Sequence, residues 1–138
     1  MKVLVVDDDP IFLRAVVRQL RAYDVEVRTA TGMRHALREL TEIRPDVLIS
    51  DLDLGDGTGF EVAARLRQIE AAVFRAVAQL LGRDPVPIRV VLLSAAVTAA
   101  REAEALKLGG RLYDKMDLRS AVAAATVGAH PVTPEGVH

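Results

Sequence analysis

The sequence contains no cysteine and no tryptophan, and aromatic residues make up only 4% of it. Without cysteine, a disulfide framework is excluded. No apolar stretch is long enough to span a bilayer, and no charged start leads into a signal-peptide core. Neither sign of charge dominates, because 18 lysines and arginines stand against 19 acidic residues, with no long run of either sign. We therefore expect a cytoplasmic protein that binds neither nucleic acid nor a membrane surface.

The chain does contain enough apolar residues for one compact core, since 51% of its 138 residues are hydrophobic. Short β-branched runs alternate with stretches whose apolar residues recur at helical spacing. Strands are predicted at 2–6, 25–30, 46–50, 88–95 and 111–114, and helices at 10–22, 31–43, 60–81, 97–108 and 117–127. Because the main strands are unbroken Val, Ile and Leu runs, this alternation predicts an α/β fold with a parallel sheet between helices. We expect a disordered tail over residues 128–138.

Polar side chains follow the predicted strands at the points where the strands end. Asp7 and Asp8 follow the first, Asp51 the third, Ser94 the fourth and Lys115 the fifth. Ligands of open parallel sheets bind beyond the carboxyl ends of the strands, so these groups are expected to converge. Clustered carboxylates suit Mg²⁺, and a nearby lysine adds positive charge toward a phosphoryl group. An aspartate can act as the nucleophile, and Asp51 is the candidate for an aspartyl-phosphate.

Four segments carry a resemblance to a known family: VLVVDDDP, PDVLISDLDLGDGTGFEV, VVLLSA and LYDKMD. They occur in the order and approximate spacing of the receiver domains of two-component response regulators. The chain resembles that family from residue 2 to about residue 127. The resemblance implies a flavodoxin-like (βα)5 fold, doubly wound, with a five-stranded parallel sheet in the order 2-1-3-4-5. It also sets the expected domain at residues 1–127.

By position, the resemblance implies a metal site. Mg²⁺ would be held by the carboxylates of Asp7, Asp8 and Asp51. The backbone carbonyl of Asp53 would be a further ligand.

The resemblance also implies a phosphoryl site. Asp51 would accept phosphate from a histidine kinase or phosphotransfer protein, while Ser94 and Lys115 would contact the phosphoryl oxygens. On this interpretation the chain is not an enzyme beyond its own phosphorylation and dephosphorylation. Its output is a change in contacts between proteins.

Several positions depart from the family's pattern. Met116 follows Lys115 where proline is usual, so the usual cis peptide is not expected. Leu112 stands where the family commonly has a switch aromatic, and Tyr113, one place later, would face the other side of the strand. Gly55 stands where proline is frequent, which should loosen the loop after Asp51.

The segment between Asp51 and Ser94 is longer than the family norm by about three or four helical turns. Its apolar residues form a stripe at spacings of three and four, made of Val62, Leu66, Ile69, Val73, Val77 and Leu80. A helix over residues 60–82 would be about 30 Å long or more, so its end must project beyond the sheet. We expect this overhang to pack on a second copy of the chain or on another protein.

Two rival functions remain open at this point. ISDLDLGDGT resembles the DxD motif of haloacid-dehalogenase-type phosphatases, but those enzymes carry the motif on their first strand and an acidic pair late in the chain. Here the order is reversed. The more serious alternative is a pseudo-receiver, a binding module that keeps the fold but is no longer switched by phosphate. Retention of the full set of site residues argues against it.

Overall fold

The computed structural model describes residues 1–132. Within that range strands and helices alternate along the chain. The strands are β1 (Lys2–Val6), β2 (Glu26–Ala30), β3 (Val47–Asp51), β4 (Arg89–Ser94) and β5 (Gly110–Asp114). The α-helices are α1 (Pro10–Leu20), α2 (Met33–Glu42), α3 (Gly59–Leu81), α4 (Ala99–Lys107) and α5 (Leu118–Ala125). A short 3₁₀ turn at Lys115–Asp117 joins β5 to α5.

The strands form a parallel sheet in the order β2-β1-β3-β4-β5, which confirms the predicted doubly wound fold. The register aligns the carboxyl ends of the strands. Val6 of β1 lies beside Ser50 of β3, and Ser94 of β4 lies beside Asp114 of β5. The side chains that follow these strands therefore share one edge of the sheet.

Successive residues of each strand face opposite sides of the sheet, so the strands contribute to two separate cores. Leu4, Leu48 and Leu92 face one side, where they pack with α2, α3 and α4. Val3 and Ile49 face the other side, where they pack with α1 and α5. Burial on both faces explains why the central strands read as continuous apolar runs.

Local capping sets the helix ends within a few residues of the predicted ones. Asp9 caps α1, since its Oδ1 accepts a hydrogen bond from the backbone N–H of Ile11 at 2.9 Å. Helix α4 begins at Ala99 rather than at residue 97, because the Thr98 side chain accepts from the third residue of the helix.

The predicted disordered tail, residues 128–138, differs from the structure in its first part. The backbone N–H of Asp24 donates to the His130 carbonyl at 2.8 Å, and that of Val132 donates to the Ala22 carbonyl at 2.8 Å. Backbone groups just after α1 need partners, and this segment supplies them. The residues beyond Val132 lie outside those that the structure describes.

Helix α3 has 23 residues, which confirms the predicted extension. Along its apolar stripe the burial ends midway: Val62 and Leu66 are 0% and 1% exposed, whereas Val73 and Leu80 are 43% and 85% exposed. The first half therefore belongs to the core, and residues 72–81, here called the α3 overhang, project from it. Within residues 1–132 no helix, α3 included, has the length and hydropathy needed to cross a membrane.

A buried ion pair lies at the base of the α3 overhang. Glu70 is only 6% exposed, and its Oε2 accepts a hydrogen bond from the Ile88 backbone N–H at 2.7 Å. The other carboxylate oxygen pairs with Arg67. Arg67 also donates to the carbonyls of Ile88 and Leu108, each at 2.8 Å. Together these groups fix α3 to the start of β4 and to the α4–β5 connection.

The chain that returns from the α3 overhang to β4 is also tied to the body of the domain. Arg44, after α2, donates to the Val86 carbonyl at 2.9 Å. Its guanidinium also lies 5.4 Å from the centre of the Phe74 ring. Both the outgoing helix and the returning chain thus contact the same arginine.

The variant Glu70→Gln tests the ion pair at the base of α3. We expect it to lower the free energy of unfolding by about 1.5 to 3 kcal/mol, because Arg67 loses a charged hydrogen-bond partner in a buried place. Glu104→Gln is the matched control, since Glu104 is half exposed and lies 4.0 Å from its lysine neighbour. The control should stay within about 0.5 kcal/mol of the parent in urea unfolding. Equal unfolding midpoints for the two variants would contradict a stabilising role for Glu70.

Candidate functional site

Three carboxylates meet at the carboxyl edge of the sheet, as the strand ends predicted. Asp7, Asp8 and Asp51 each place one carboxylate oxygen within 4.8 Å of the others. Asp7 and Asp51 are 2% and 7% exposed, whereas Asp8 is exposed. Asp51 is the last residue of β3 and not the first loop residue, so the sheet holds its backbone.

Lys115 provides the positive charge between two of these carboxylates. Its Nζ lies 3.0 Å from Asp51 Oδ2 and 3.2 Å from Asp7 Oδ2. The ammonium also lies 4.1 Å from the centre of the Phe12 ring, which is on α1. Lys115 opens the 3₁₀ turn after β5, and the Asp114 side chain caps that turn by accepting from the next backbone N–H. Residues far apart in the sequence thus converge as predicted.

Burial and charge act in opposite directions on these groups. Burial raises the pKa of Asp7, and neither the Asp9 backbone N–H nor the charge of Lys115 fully offsets this effect. Burial also acts to lower the pKa of Lys115. The hydrogen bond to Asp51 and the charge of Asp7 outweigh it, so the pKa of Lys115 is raised. The lysine therefore remains protonated at neutral pH.

The donor set of this edge fits a hard divalent cation. It offers carboxylate oxygens and no sulfur or imidazole, which is the chemistry that Mg²⁺ prefers. One oxygen, Asp7 Oδ2, is buried and accepts no well-aligned hydrogen bond from residues 1–132, although Lys115 is close to it. The carbonyl oxygen of Asp53 likewise accepts no hydrogen bond from the described part of the chain. These atoms have unused capacity to coordinate a cation.

Glycine is required at two places in the loop between β3 and α3. Gly55 has φ 76°, in a turn where its N–H donates to Asp53 Oδ1 at 3.3 Å. Proline cannot adopt that φ, so the residue usual in the family would not fit this conformation. At Gly59 a Cβ atom would collide with the Asp51 backbone carbonyl. The start of α3 therefore lies directly against Asp51.

Asp56, in the loop between β3 and α3, bonds to the start of α2. Its carboxylate accepts from the backbone N–H groups of Met33 at 2.7 Å and Arg34 at 3.1 Å. Helix α2 begins after Gly32, which has no side chain to cap it, so Asp56 caps that helix from another loop. These two hydrogen bonds lower the pKa of Asp56. The missing cap before α2 was the signal that a distant side chain had to supply one.

Ser94 is the last residue of β4 and is 3% exposed. Its hydroxyl donates to the Ala96 carbonyl at 2.9 Å and accepts from the Ala96 N–H at 3.1 Å. Arg101 Nη1 also donates to it, at 3.1 Å. Ser94, Arg101, Lys115 and Asp51 line a common cavity of about 570 Å³.

Arg101 was not among the site residues that the sequence predicted. Arg101 lies in the first turn of α4, two residues after the start of that helix. The first turn of a helix that follows a strand at the carboxyl edge lies beside the crevice. A polar side chain there is therefore a site candidate, and that was the available signal.

The unusual residues near β5 lie where the sequence predicted. Leu112 packs with the core under α2, α3 and α4, and Tyr113 packs with the opposite core. Met116 is 92% exposed. No cis peptide occurs within residues 1–132. The position of the family's switch aromatic is thus filled by a partly buried aliphatic side chain.

The fold and the acidic edge with its lysine are those of a receiver domain. A family model described as the response regulator receiver domain matches residues 3–113. The chain therefore belongs to the response regulator receiver family.

Curated relatives include the transcriptional regulatory protein PrrA of Mycobacterium leprae. It is 39% identical over 94 residues, which cover 68% of this chain and 40% of the relative. The transcriptional regulatory protein KdpE of Mycobacterium tuberculosis is 45% identical over 65 residues, or 47% of this chain and 29% of the relative. The chain thus matches less than half of the length of each of these relatives.

Solved structures show the same fold. The signal receiver domain of NarL from Mycobacterium tuberculosis aligns with a TM-score of 0.70 and 29% identity, over 92% of this chain and 93% of that one. The receiver domain of Ssk1 from Saccharomyces cerevisiae, solved with the histidine phosphotransfer protein Ypd1, has a TM-score of 0.73 and 21% identity. That match covers 91% of this chain and 86% of the other.

The variant Asp56→Ala tests the distant cap of α2 through its pH dependence. A carboxyl whose pKa is lowered on folding stabilises the fold above its unfolded pKa and loses that contribution as the pH falls through the folded value. We therefore expect Asp56→Ala to unfold at lower urea concentration than the parent at pH 7, with a difference that narrows below pH 3.8. Asp84→Ala, in the exposed connection after α3, is the control. A difference that stays constant from pH 7 to pH 3 would argue against the cap.

Proposed function

We propose that Asp51 accepts a phosphoryl group from a histidine kinase or a phosphotransfer protein, in a reaction that depends on Mg²⁺. The observation that carries this proposal is the arrangement around Asp51: a buried carboxylate, a lysine 3.0 Å away, and two further acidic groups, beside a cavity. The receiver domain extends over residues 1–127. It acts in the cytoplasm and contacts proteins rather than nucleic acid or membranes.

The transfer forms one bond and breaks one. A carboxylate oxygen of Asp51 donates a lone pair to the phosphorus of a phosphohistidine. The phosphorus–nitrogen bond breaks, its electrons stay on the imidazole nitrogen, and that nitrogen takes a proton from solvent. The product is an aspartyl-phosphate, and a carboxylate that attacks as its anion needs no general base.

The residues around Asp51 position the reactants. Lys115 donates a hydrogen bond to one Asp51 oxygen. After the transfer it donates to the phosphoryl group instead, which places a cation beside the transferred oxygens. Ser94 turns its hydroxyl from Ala96 toward a phosphoryl oxygen. When bound by Asp7, Asp8, Asp51 and the Asp53 carbonyl, Mg²⁺ supplies charge neutralisation between the carboxylates and the incoming phosphate.

The phosphate donor is a protein that presents phosphohistidine. The Ssk1 receiver domain, which shares the fold, was solved together with the phosphotransfer protein Ypd1. This supports a donor of that kind for the present chain, with the cavity beside Asp51 as the entry point. The domain catalyses no reaction beyond its own phosphorylation and dephosphorylation.

The main test is phosphorylation by acetyl phosphate with Mg²⁺. We expect the protein to gain the mass of one phosphoryl group, because Asp51 is a buried nucleophile beside two acids and a cation. Asp51→Asn should not gain it, since an amide cannot form the acyl phosphate. EDTA should abolish labelling of the parent. Intact-protein mass spectrometry measures the result, with Asp84→Asn as the matched control that should still be labelled.

The same experiment separates the rival functions. A pseudo-receiver would not be labelled, and a phosphatase would release inorganic phosphate over many turnovers without accumulating label. Labelling that persists in Asp51→Asn would place the phosphoryl group on another residue and would overturn the assignment.

The α3 overhang supports a protein contact, for which the simplest occupant is a second copy of this chain. Its stripe is continuous with the core, yet Val73, Leu80 and Leu81 are 43%, 85% and 55% exposed. Two copies of an apolar stripe can pack against each other about a two-fold axis, and each copy then buries the same residues.

Sedimentation tests this contact. We expect the parent to dimerise at high concentration and Leu80→Glu to remain monomeric. A carboxylate buried in an apolar contact loses its hydration and gains no hydrogen-bond partner. Gln79→Glu is the control, since it adds the same charge at the neighbouring exposed position. A parent that stays monomeric at all concentrations would contradict self-association through α3.

A further inference from the structure

Arg101 brings a second positive charge to the cavity that contains Asp51. Its Nη1 donates to Ser94 Oγ at 3.1 Å and to the Ala96 carbonyl at 2.7 Å. Within residues 1–132 the guanidinium has no carboxylate within ion-pair distance, whereas Lys115 has two. Nε and Nη2 of Arg101 donate to no group of the described chain. This arginine therefore has donors available for an anion that enters the cavity.

The hydroxyl of Ser94 is committed to its present partners. It donates its single proton to the Ala96 carbonyl and accepts from two groups, one of them Arg101. To donate to a phosphoryl oxygen on Asp51, Ser94 must leave the Ala96 carbonyl. Arg101 already donates to that carbonyl, so the carbonyl keeps a hydrogen-bond partner after Ser94 rotates. Arg101 thus lowers the free-energy cost of rotating the Ser94 hydroxyl.

Arg101 also connects the cavity to a helix. Its backbone N–H donates to the Thr98 side chain at 3.2 Å, which places it in the capped first turn of α4. The guanidinium reaches back from that turn to the end of β4. Any movement of the guanidinium toward Asp51 therefore acts on the start of α4.

In β5, the position at which the family commonly has a switch aromatic has no aromatic side chain. Leu112 is an aliphatic side chain packed with the core under α2, α3 and α4. Tyr113 packs with the opposite core, and Phe60, which lines the cavity, belongs to α3. A path from Ser94 to α4 through hydrogen bonds runs through Arg101.

We propose that Arg101 binds the phosphoryl group on Asp51 together with Lys115 and thereby couples phosphorylation to the position of α4. This inference rests on the proposed function of Asp51. Arg101 and Ser94 move as a pair: Ser94 turns its proton to one phosphoryl oxygen, and a free guanidinium donor reaches another. Because Arg101 is exposed, the contribution of its charge decreases at high salt.

The experiment uses the beryllium trifluoride anion, which forms a phosphoryl-like adduct with a carboxylate, in the presence of Mg²⁺. We expect the parent to bind it with chemical-shift changes both near Asp51 and at the amides of α4. Arg101→Gln should still bind, because Asp51 and Lys115 remain, but roughly three- to tenfold more weakly, as expected for one exposed charged hydrogen bond. Its α4 amides should shift much less than those of the parent.

Two further variants make the comparison specific. Arg101→Lys keeps the charge, but its one nitrogen can reach the anion only by leaving Ser94 and the Ala96 carbonyl, which Nη1 of the arginine holds. It should therefore recover affinity more than it recovers the α4 shifts. Arg75→Gln removes an exposed arginine of α3 that bonds only to its own helix, and it should behave as the parent does. Amide spectra without the anion show that each variant is folded.

The outcomes separate the inference from the function on which it rests. Parent-like affinity and parent-like α4 shifts in Arg101→Gln overturn the inference and leave the proposed function standing. If the parent binds the anion without any shift of the α4 amides, the proposed coupling between phosphorylation and α4 is overturned. A parent that binds no anion at all overturns the proposed function and the inference together.

Discussion

The ion pairs of Lys115 with Asp51 and Asp7 are the interaction on which the site depends. Burying two carboxylates side by side is unfavourable, because each loses hydration and repels the other. A single ammonium at 3.0 and 3.2 Å partly offsets both penalties. The fold makes this possible by aligning β1, β3 and β5 in register, so that Lys115 reaches past the end of β4 to both acids. Burial still raises the pKa of Asp7 against the charge of Lys115.

The sequence was sufficient for those parts of the site that follow from strand ends. In a parallel sheet, the residue at the carboxyl end of a strand has little freedom in where it can lie. Asp7, Asp51, Ser94 and Lys115 could therefore be placed together from the positions of the apolar runs alone. The opposite faces of Leu112 and Tyr113 follow for a similar reason, because strand side chains alternate.

Residues whose roles depend on partners far along the chain could not be found this way. Glu70 looks like a surface glutamate in the middle of a helix, and only the tertiary structure brings the Ile88 N–H to it. Asp56 stands in a glycine-rich loop, where a local turn is the ordinary interpretation, yet it caps α2. Arg101 follows its strand by a loop and a helical turn, and its direction is decided by where α4 begins. For Glu70 and Asp56, a backbone N–H lacking a local partner selected a distant side chain.

The hydrogen bond at the base of α3 makes the α3 overhang a side projection of the domain. The chain leaves the domain near Glu70 and re-enters it at Ile88, and one hydrogen bond joins these two points. Residues 72–81 rise about 15 Å as helix, and a segment of six residues such as 82–87 can span up to about 20 Å, so the excursion closes on itself without displacing β4. The entropic cost of closing a loop depends only weakly on the length of the loop. Such a projection can therefore be lengthened, shortened or exchanged during evolution with little loss of stability in the sheet. A new recognition element can therefore evolve on this domain independently of its acidic edge.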